Sequence, residues 1–329
     1  MLELGAGTLG AGRRAPRGHA CGHGARPRLT VATVKADHVP GEGPATARSM
    51  KDTRPGRAGG PAPAAQPARL SVLSLNTRGV PLVGSRLARR YAKIGATVDA
   101  GNADIACFQE VFSWWHLWLL ARRLRTFRYA SFRVSPAGPA GGLVTFSRLP
   151  VSGTTYRAFG LPPRVPGVSQ PARLRAALKG ALVTEFARSG LYVVNTHPVA
   201  NRDGDWSESG RFYALHRAQL DVLAAIVVGV PAAAVVCGDF NVDRGSSLFD
   251  RFLADTGLAD AFNGNCPATF RAEYLPAGES PSCIDFILTA GGVRAEAASV
   301  MFREAEQLPG GPDHVSDHIG LRATLALAP

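Results

Sequence analysis

Short apolar runs that alternate with amphipathic stretches, from Leu70 to Leu327, most strongly constrain what this chain can fold into. Eight of the runs are rich in Val, Leu, Ile and Phe and end at turn residues, which predicts short buried strands. No linker rich in proline or glycine divides the series, so we expect one folded domain. The predicted strands cover residues 69–75, 105–109, 142–147, 181–186, 191–196, 233–238, 284–289 and 319–326.

The amphipathic stretches predict four helices, because their apolar residues recur at a spacing of three and four. These helices cover 85–100, 113–124, 211–228 and 246–256, and Ser246 or Ser247 can cap the last of them. Helices interspersed with strands in both hairpin and crossover connections are typical of a mixed α/β layered fold. We expect substrate selectivity to reside in two longer connections, at 148–180 and 262–282.

Residues 1–68 have a different composition, dominated by Gly, Ala, Pro and Arg and without a period of 2 or 3.6. Such a segment cannot bury enough apolar surface to offset the entropy that is lost when it becomes ordered. We therefore predict a disordered tail over residues 1–68 and a single folded domain over residues 69–329.

The formal net charge of +12 at pH 7 suits a polyanionic partner such as nucleic acid or an anionic membrane surface. The basic residues are spread along the sequence, so the charge does not favour one of these partners over the other. No apolar run reaches the roughly 18 residues of a transmembrane helix. The N-terminus also lacks the continuous apolar region of a secretory signal. We expect a monomeric, cytoplasmic protein without a transmembrane segment.

Polar residues stand where six of the predicted strands begin or end. Because strand ends at one edge of a sheet converge in space, we expect these side chains to line one pocket. They are Asn76, Gln109, Glu110, Asn195, His197, Asp239, Asn241, Asp285, Asp317 and His318.

The acidic members of this set predict a metal site. Glu110, Asp239 and Asp317 supply hard carboxylate oxygens, which suit Mg²⁺, with Mn²⁺ as a substitute. The amide of Asn76 can complete such a site while water molecules occupy the remaining positions.

The histidines suit the proton transfers of a hydrolytic reaction. His197 and His318 can hydrogen-bond a phosphoryl group or transfer a proton, and Asp285 can fix the tautomer of a histidine. The chain contains neither the Gly-x-Ser-x-Gly elbow of serine hydrolases nor a phosphate-binding loop ending in Gly-Lys-Ser/Thr. We therefore predict metal-assisted attack of water on a phosphoester.

Six short motifs, in this order, resemble the endonuclease/exonuclease/phosphatase superfamily over residues 69–327. The resemblance implies a deoxyribonuclease-I-like fold, which is a four-layer α/β sandwich of mixed sheets with flanking helices. The motifs are Leu73-Ser74-Leu75-Asn76, Gln109-Glu110-Val111-Phe112, Asn195-Thr196-His197, Gly238-Asp239-Phe240-Asn241, Ile284-Asp285-Phe286 and Ser316-Asp317-His318.

Within that superfamily the chain is most similar to the neutral sphingomyelinases, at residues 70–81, 87–94, 141–150, 179–180 and 216–220. The resemblance implies a Mg²⁺-dependent, sphingomyelinase-like phosphodiesterase whose substrate is a phospholipid. A nuclease acting on nucleic acid or a phosphomonoesterase of the same superfamily is the alternative. A binding module that has lost the chemistry is a third hypothesis, which the intact set of polar residues disfavours.

The resemblance also implies roles at the metal and at the attacking water. Glu110 is the principal metal ligand, and Asn76 supports the metal or a phosphate oxygen. Asp317 binds metal or orients the site. Asp239 activates or orients the attacking water, with Asn241 beside it on the phosphate.

The roles implied for the remaining polar residues concern the phosphate and the leaving group. His197 stabilises developing charge or assists the leaving group. His318 is paired with Asp285, contacts the phosphate and transfers protons. Either Asp239 or His318 serves as the general base. Lys179 is either simply exposed or close to the phosphate.

Three tryptophans, Trp114, Trp115 and Trp118, allow two interpretations. Tryptophan favours membrane interfaces, and arginines follow in the next turns of the chain. The spacing of the apolar residues is equally that of a helix that packs its aromatic face on a sheet, and we expect this second arrangement. The remaining histidines singled out are expected to be structural or surface residues: His116, His216 and His314.

Overall fold

The computed structural model describes residues 30–33, 68–80, 86–186 and 189–328. The helices are α1 Leu87–Ala100, α2 Trp114–Ala121, α3 Gln170–Ala177, α4 Tyr213–Val228 and α5 Ser247–Thr256. The strands are β1 Thr30–Thr33, β2 Ala68–Asn76, β3 Ile105–Gln109, β4 Tyr129–Phe132, β5 Val144–Ser147, β6 Gly153–Ala158, β7 Gly180–Phe186, β8 Leu191–Thr196, β9 Ala233–Asp239, β10 Ala259–Asp260, β11 Asp285–Ala290, β12 Val293–Met301, β13 Glu306–Leu308, β14 Gly311–Asp313 and β15 Gly320–Leu327.

Two large sheets organise the described residues. The seven-stranded sheet has the order β1-β4-β5-β3-β2-β15-β12, and the six-stranded sheet has the order β10-β11-β9-β8-β7-β6. The pairs β1–β4, β2–β3 and β8–β9 are parallel, whereas the other neighbours in these sheets are antiparallel. Both sheets are therefore mixed, as predicted. Strands β13 and β14 form a separate hairpin.

Apolar side chains seal the two sheets against each other and against the helices. Val72 of β2 and Val235 of β9 belong to one buried cluster between the sheets. Helices α1 and α2 cover the outer face of the seven-stranded sheet, where Ile94 packs in the same cluster as Leu75. Helices α4 and α5 cover the outer face of the other sheet, where Phe252 is buried. The resulting order of helix, sheet, sheet and helix confirms the four-layer α/β sandwich.

The helices form where the sequence places apolar stripes and capping residues. In α1, Leu87, Tyr91, Ile94 and Val98 recur at helical spacing and are all buried. In α5, Ser246 is the N-terminal cap, because its hydroxyl accepts a hydrogen bond from the Phe249 amide at 3.3 Å. All twelve predicted elements are present, with ends that differ by three residues or fewer.

Several elements inside the predicted connections were not anticipated. The connection at 148–180 contains β6 and α3, and β4 and β12 also lie outside the predicted strands. Strand β6 is an edge strand with a single buried residue, so it lacks the apolar run that marks a buried strand. Helix α3 has eight residues and only a short apolar stripe.

The predicted tail requires one correction. Residues Thr30–Thr33 form β1 and pair in parallel with β4 at the edge of the seven-stranded sheet. This stretch contains three β-branched residues, which favour strands. The edge of a sheet has unpaired backbone groups with which such a strand can pair. Strand β2 also begins at Ala68, one residue before the predicted boundary. Residues 1–29 and 34–67 lie outside the described residues, so disorder there stays a prediction.

Within the described ranges, no helix combines the length and the apolar character that crossing a bilayer requires.

Arg90 joins the segment after β2 to the segment before β15. Its buried guanidinium donates to the carbonyls of Thr77 at 3.0 Å, Arg78 at 2.9 Å and Val315 at 2.7 Å. Both segments lead into the polar strand ends, so Arg90 helps to position them.

We predict that Arg90→Met lowers the free energy of unfolding by about 3 kcal/mol, because it leaves buried carbonyls without donors. Urea unfolding measures the change, and Arg89→Met, at the neighbouring exposed arginine, is the matched control. Equal stabilities of the two variants would contradict this role.

Candidate active site

Asn76 and Glu110 lie at one edge of the seven-stranded sheet because their strands are parallel and end together. Asn76 pairs with Gln109 in register, and Glu110 is the next residue along the chain. Glu110 adopts a left-handed backbone with φ of 63°. Gly79 approaches it so closely that a Cβ at position 79 would lie 1.7 Å from the Glu110 carbonyl oxygen. Only glycine permits this turn beside Glu110.

The six-stranded sheet contributes three residues at its corresponding edge. In the register of β8 and β9, Thr196 lies opposite Gly238, which makes His197 and Asp239 neighbours. In the register of β9 and β11, Asp239 lies directly opposite Asp285. All three side chains are buried.

Asp239 is the point at which the two sheet edges meet. The Asn76 amide donates to Asp239 Oδ2 at 2.8 Å across the sandwich. The same oxygen lies 3.4 Å from His197 Nε2 and 3.7 Å from His318 Nε2. The backbone amide of Asn241 donates to the other oxygen at 2.9 Å. Burial favours the neutral acid, but His318, His197 and Asn76 outweigh it and hold the pKa of Asp239 below its ordinary range.

His318 and Asp285 form a buried pair. The Nδ1 of His318 lies 2.8 Å from Asp285 Oδ2, which directs its Nε2 towards Asp239. Phe270 packs its ring edge-on to the imidazole, with 5.1 Å between centroids. Burial alone lowers the pKa of His318, but the carboxylates of Asp285 and Asp239 outweigh it and raise the pKa to about 10. His318 is therefore an imidazolium at neutral pH.

Asn241 and Asp317 each lie next to a member of this centre. Asn241 has a positive φ of 54°, and its side-chain amide donates to the Pro198 carbonyl at 3.2 Å. Asp317 is partly exposed, lies 4.0 Å from His318 Nε2 and pairs with Arg78 at 3.4 Å. The structure thus brings the predicted residues to one edge, with Asp317 at its rim.

Lys179 is the principal residue that the sequence left undecided. Its ammonium lies within 3.2 Å of both ring nitrogens of His197. Burial lowers the pKa of Lys179 to about 8, against the opposing effects of Glu110 and Asp239. Lys179 stands between an apolar helix end and a strand, a position at which the sequence gives no periodic signal.

The oxygen ligands at this edge fit a divalent cation. The Glu110 carboxylate is partly buried and makes no hydrogen bond or ion pair with any residue that the structure describes. It is therefore available as a ligand, beside Asn76 and the ionised Asp239. Asp239, Asp285 and His318 also offer ligand atoms within 4.8 Å of one another. Because His318 Nδ1 and Asp285 Oδ2 already bond each other, the set containing Glu110 is the better fit for a divalent cation.

A cleft of about 490 Å³ adjoins this edge. Asn241 and Phe270 belong both to its lining and to the polar centre described above. Trp206 and Tyr274 add two aromatic rings, and Trp206 donates from its indole nitrogen to the Asn241 carbonyl at 2.9 Å. A ligand in the cleft would therefore reach the polar residues directly.

The other histidines are structural or peripheral, as predicted. His116 is buried and its ring lies 5.4 Å from that of Tyr91, and His314 lies 3.6 Å from Glu273. His216 is buried on α4, with Nε2 2.7 Å from the carbonyl of Val199, two residues after His197. Burial is the largest influence on its pKa and lowers it from 6.5 to about 4.

This depressed pKa predicts an acid sensitivity of the fold. The stabilisation by neutral His216 is complete above pH 6.5 and is lost as the pH falls towards 4, because only the unfolded chain takes up the proton. At pH 5 the loss from this group is about 2 kcal/mol. Urea unfolding at pH 7.5 and 5 should therefore show a smaller acid-induced loss for His216→Gln than for the wild type. An identical loss in both proteins would contradict the prediction, and His314→Gln is the control.

A family model described as the Endonuclease/Exonuclease/phosphatase family matches residues 73–318, which include all eight of the catalytic and metal-binding residues predicted above. The chain belongs to this family. Members of this family hydrolyse phosphoester bonds.

Two curated relatives of this family member are sphingomyelinases by name. Sphingomyelin phosphodiesterase 2 of Homo sapiens is 27% identical over 213 residues, which cover 59% of this chain and 46% of that protein. The putative neutral sphingomyelinase of Drosophila melanogaster is 25% identical over 272 residues, covering 78% and 61% respectively. The chain therefore spans about half to three fifths of the length of these relatives.

Solved structures share the fold of this family member. Sphingomyelinase C from Streptomyces griseocarneus superposes with a TM-score of 0.60 at 20% identity, covering 78% of this chain and 99% of that one. TDP2 of D. rerio, complexed with a single-strand DNA product, has a TM-score of 0.58 at 17% identity, covering 78% and 99%. These superpositions show the deoxyribonuclease-I-like fold.

Proposed function

We propose that this chain is a Mg²⁺-dependent phosphodiesterase that hydrolyses sphingomyelin. The observation that carries the proposal is the meeting of the two sheet edges at Asp239, which contacts Asn76, His197 and His318. Buried polar groups of this density are costly to desolvate, and a catalytic role explains why the fold assembles them. The names of the curated relatives support the choice of substrate.

Glu110, Asn76 and Asp239 are the residues that would hold the metal, with Asp317 at the rim of the site. When bound, Mg²⁺ supplies Lewis-acid polarisation of the phosphoryl group and makes water more acidic. The unpaired carboxylate of Glu110 supports this assignment, because a partly buried carboxylate without a donor is poised for a cation.

Protein side chains orient the water, stabilise the developing charge and transfer the protons. Asp239 accepts a hydrogen bond from the attacking water and orients it towards phosphorus, with Asn241 beside it. The His318 imidazolium donates to the phosphoryl oxygens, on which negative charge develops, and Asp285 fixes its orientation. As the water oxygen bonds to phosphorus and the bond to the leaving oxygen breaks, the proton that the water loses passes to Asp239. A protonated His197, with Lys179 at 3.0 Å, gives its proton to the leaving oxygen. Transfer of the proton from Asp239 to His197, 3.4 Å away, restores both groups.

The aromatic cleft supports a substrate with a quaternary ammonium group. Trp206, Phe270 and Tyr274 line it together with the acidic side chain of Glu279. Aromatic faces and a carboxylate attract such a cation without demanding a hydrogen-bond donor from it. The phosphocholine of sphingomyelin carries this cation next to the phosphodiester.

The test is hydrolysis by the full chain, with and without Mg²⁺, of sphingomyelin, plasmid DNA and bis-p-nitrophenyl phosphate in parallel. We expect Mg²⁺-dependent release of phosphocholine and an intact plasmid. Nicked plasmid without phosphocholine release would replace the proposal with a nuclease. Hydrolysis of none of the three by a folded protein would overturn it.

A further inference from the structure

Helix α2 exposes the three tryptophans that were expected to pack on the sheet. Trp114, Trp115 and Trp118 have 41%, 51% and 53% of their surfaces exposed. The buried side of the helix consists instead of His116, Leu117, Leu119 and Leu120. The expected packing of the aromatic face is therefore wrong, because the leucines already fill the contact with the sheet. Three exposed tryptophans on one short helix indicate a surface that binds another molecule.

The exposed apolar surface continues from α2 into the loop after β4. Trp114 binds this loop twice, through its backbone amide to Ala137 at 3.2 Å and through its indole to Pro136 at 3.1 Å. Pro136, Ala137 and Val134 are all exposed. The tryptophans and the loop therefore form one continuous patch.

Tyr156 links the loop after β4 to the end of α3. The Tyr156 hydroxyl donates to the Leu178 carbonyl at 3.1 Å, and the Arg133 guanidinium lies 5.7 Å from the Tyr156 ring. Leu178 and Leu174 have 70% and 60% of their surfaces exposed. We call this surface the tryptophan face and define it by its exposed members: Trp114, Trp115, Trp118, Val134, Leu174 and Leu178.

The stretch of chain that carries the tryptophan face is basic. Residues 111–184 contain eleven basic side chains and no acidic one. Arg122, Arg123 and Arg125 follow α2 and are exposed, and the Arg122 guanidinium stacks 4.4 Å from the Trp118 ring. An apolar patch surrounded by arginines complements a surface that is apolar inside and anionic outside.

The tryptophan face borders the entrance to the active site. Helix α2 begins four residues after Glu110. Between them, the Phe112 ring lies 5.7 Å from the ammonium of Lys179, which contacts His197. Leu178, the residue that follows α3, immediately precedes Lys179 in the chain. A partner bound to this face would therefore lie beside the polar residues of the candidate active site.

We propose that the tryptophan face docks the protein on the surface of a lipid bilayer that contains anionic phospholipids. Tryptophan has an apolar ring and a polar N–H, which suit the boundary between acyl chains and headgroups. The arginines suit lipid phosphates. A single-stranded nucleic acid would use aromatic rings as stacking platforms, but it would gain nothing from the exposed Val134, Leu174 and Leu178.

The test is co-sedimentation of the full chain with vesicles of phosphatidylcholine, with and without 30 mol% phosphatidylglycerol (about this fraction gives a strongly anionic surface). The substitution Trp114→Ser, Trp115→Ser and Trp118→Ser, made together, should weaken partitioning by at least about tenfold. Val228→Ser is the matched control, because Val228 is 67% exposed at the end of α4, on the opposite outer layer. It should bind vesicles as the wild type does.

A charge variant tests the arginines separately. Arg122→Gln, Arg123→Gln and Arg125→Gln together should remove most of the preference for anionic vesicles and its dependence on salt. Circular dichroism checks that each variant is folded. If the triple tryptophan variant unfolds, Trp118→Ser alone replaces it, and we expect a partial loss of vesicle binding.

The outcomes separate this proposal from the proposed function. Binding is measured in a His318→Asn background, so it does not depend on turnover, and hydrolysis is measured in detergent micelles. Equal vesicle binding by the wild type and the folded tryptophan variants would overturn the proposal. The proposal would also be overturned if those variants lost oligonucleotide binding but kept vesicle binding. The triple tryptophan variant should retain the micellar hydrolysis rate.

Discussion

Replacement of His318 by asparagine is expected to lower kcat for phosphodiester hydrolysis by at least about a thousandfold. The imidazole is buried, with Nδ1 2.8 Å from Asp285 and Nε2 3.7 Å from Asp239. Asparagine retains an amide that can bond Asp285, but it provides no positive charge and no group at the position of Nε2. Because this group acts on charge that develops during the reaction, kcat should fall far more than KM changes.

The matched control is His314→Asn, four residues earlier in the chain. His314 pairs with Glu273 at 3.6 Å and lies outside the catalytic centre, so this variant should turn over at nearly the wild-type rate. Asp285→Asn should give an intermediate loss of about 10- to 100-fold, because it removes only the group that orients the imidazole. A folded His318→Asn enzyme with wild-type kcat would contradict the assignment of His318.

The second large effect is expected for Glu110→Gln, with a loss in kcat of about a thousandfold at millimolar Mg²⁺. Glutamine preserves the size of the side chain and does not alter the left-handed backbone, whose φ is 63°. It removes the negative charge that makes the side chain a strong ligand for a hard cation. Titration of activity with Mg²⁺ should therefore show half-saturation at a higher concentration than in the wild type.

Glu273→Gln, an exposed carboxylate, is the control for Glu110→Gln and should leave the Mg²⁺ titration unchanged. Asp317→Asn should have a smaller effect than Glu110→Gln, since Asp317 is already paired with Arg78 at 3.4 Å. An unaltered Mg²⁺ requirement in a folded Glu110→Gln protein would show that the metal is held elsewhere, for example by Asp239, Asp285 and His318.

The sequence predicted this group of polar residues because each of them lies at or within three residues of the end of a strand. The parallel pairs β2–β3 and β8–β9 bring strand ends together by register alone, so Asn76 and Glu110 meet, as do His197 and Asp239. The contact between the two edges, from Asn76 to Asp239, depends on how the sheets pack. Periodicity carries no information on that packing, and only the ordered motifs indicated it.

Other features could not be predicted because the local signal is shared by two structures. Trp118 and Leu119 are adjacent large side chains that a helical apolar stripe can include, yet one is exposed and the other buried. Helix α3 and strand β6 have too few buried residues to produce a period. Lys179 lies close to His197, which follows the neighbouring strand β8 and is 18 residues away in sequence.

The most direct test of the proposed active site is the release of phosphocholine from sphingomyelin in detergent micelles. Micelles make turnover independent of docking on a bilayer. We expect release by the wild type with Mg²⁺, none in the presence of EDTA, and full recovery when Mg²⁺ is restored. Release that persists in EDTA, or that is equal for the wild type and His318→Asn, would contradict the account.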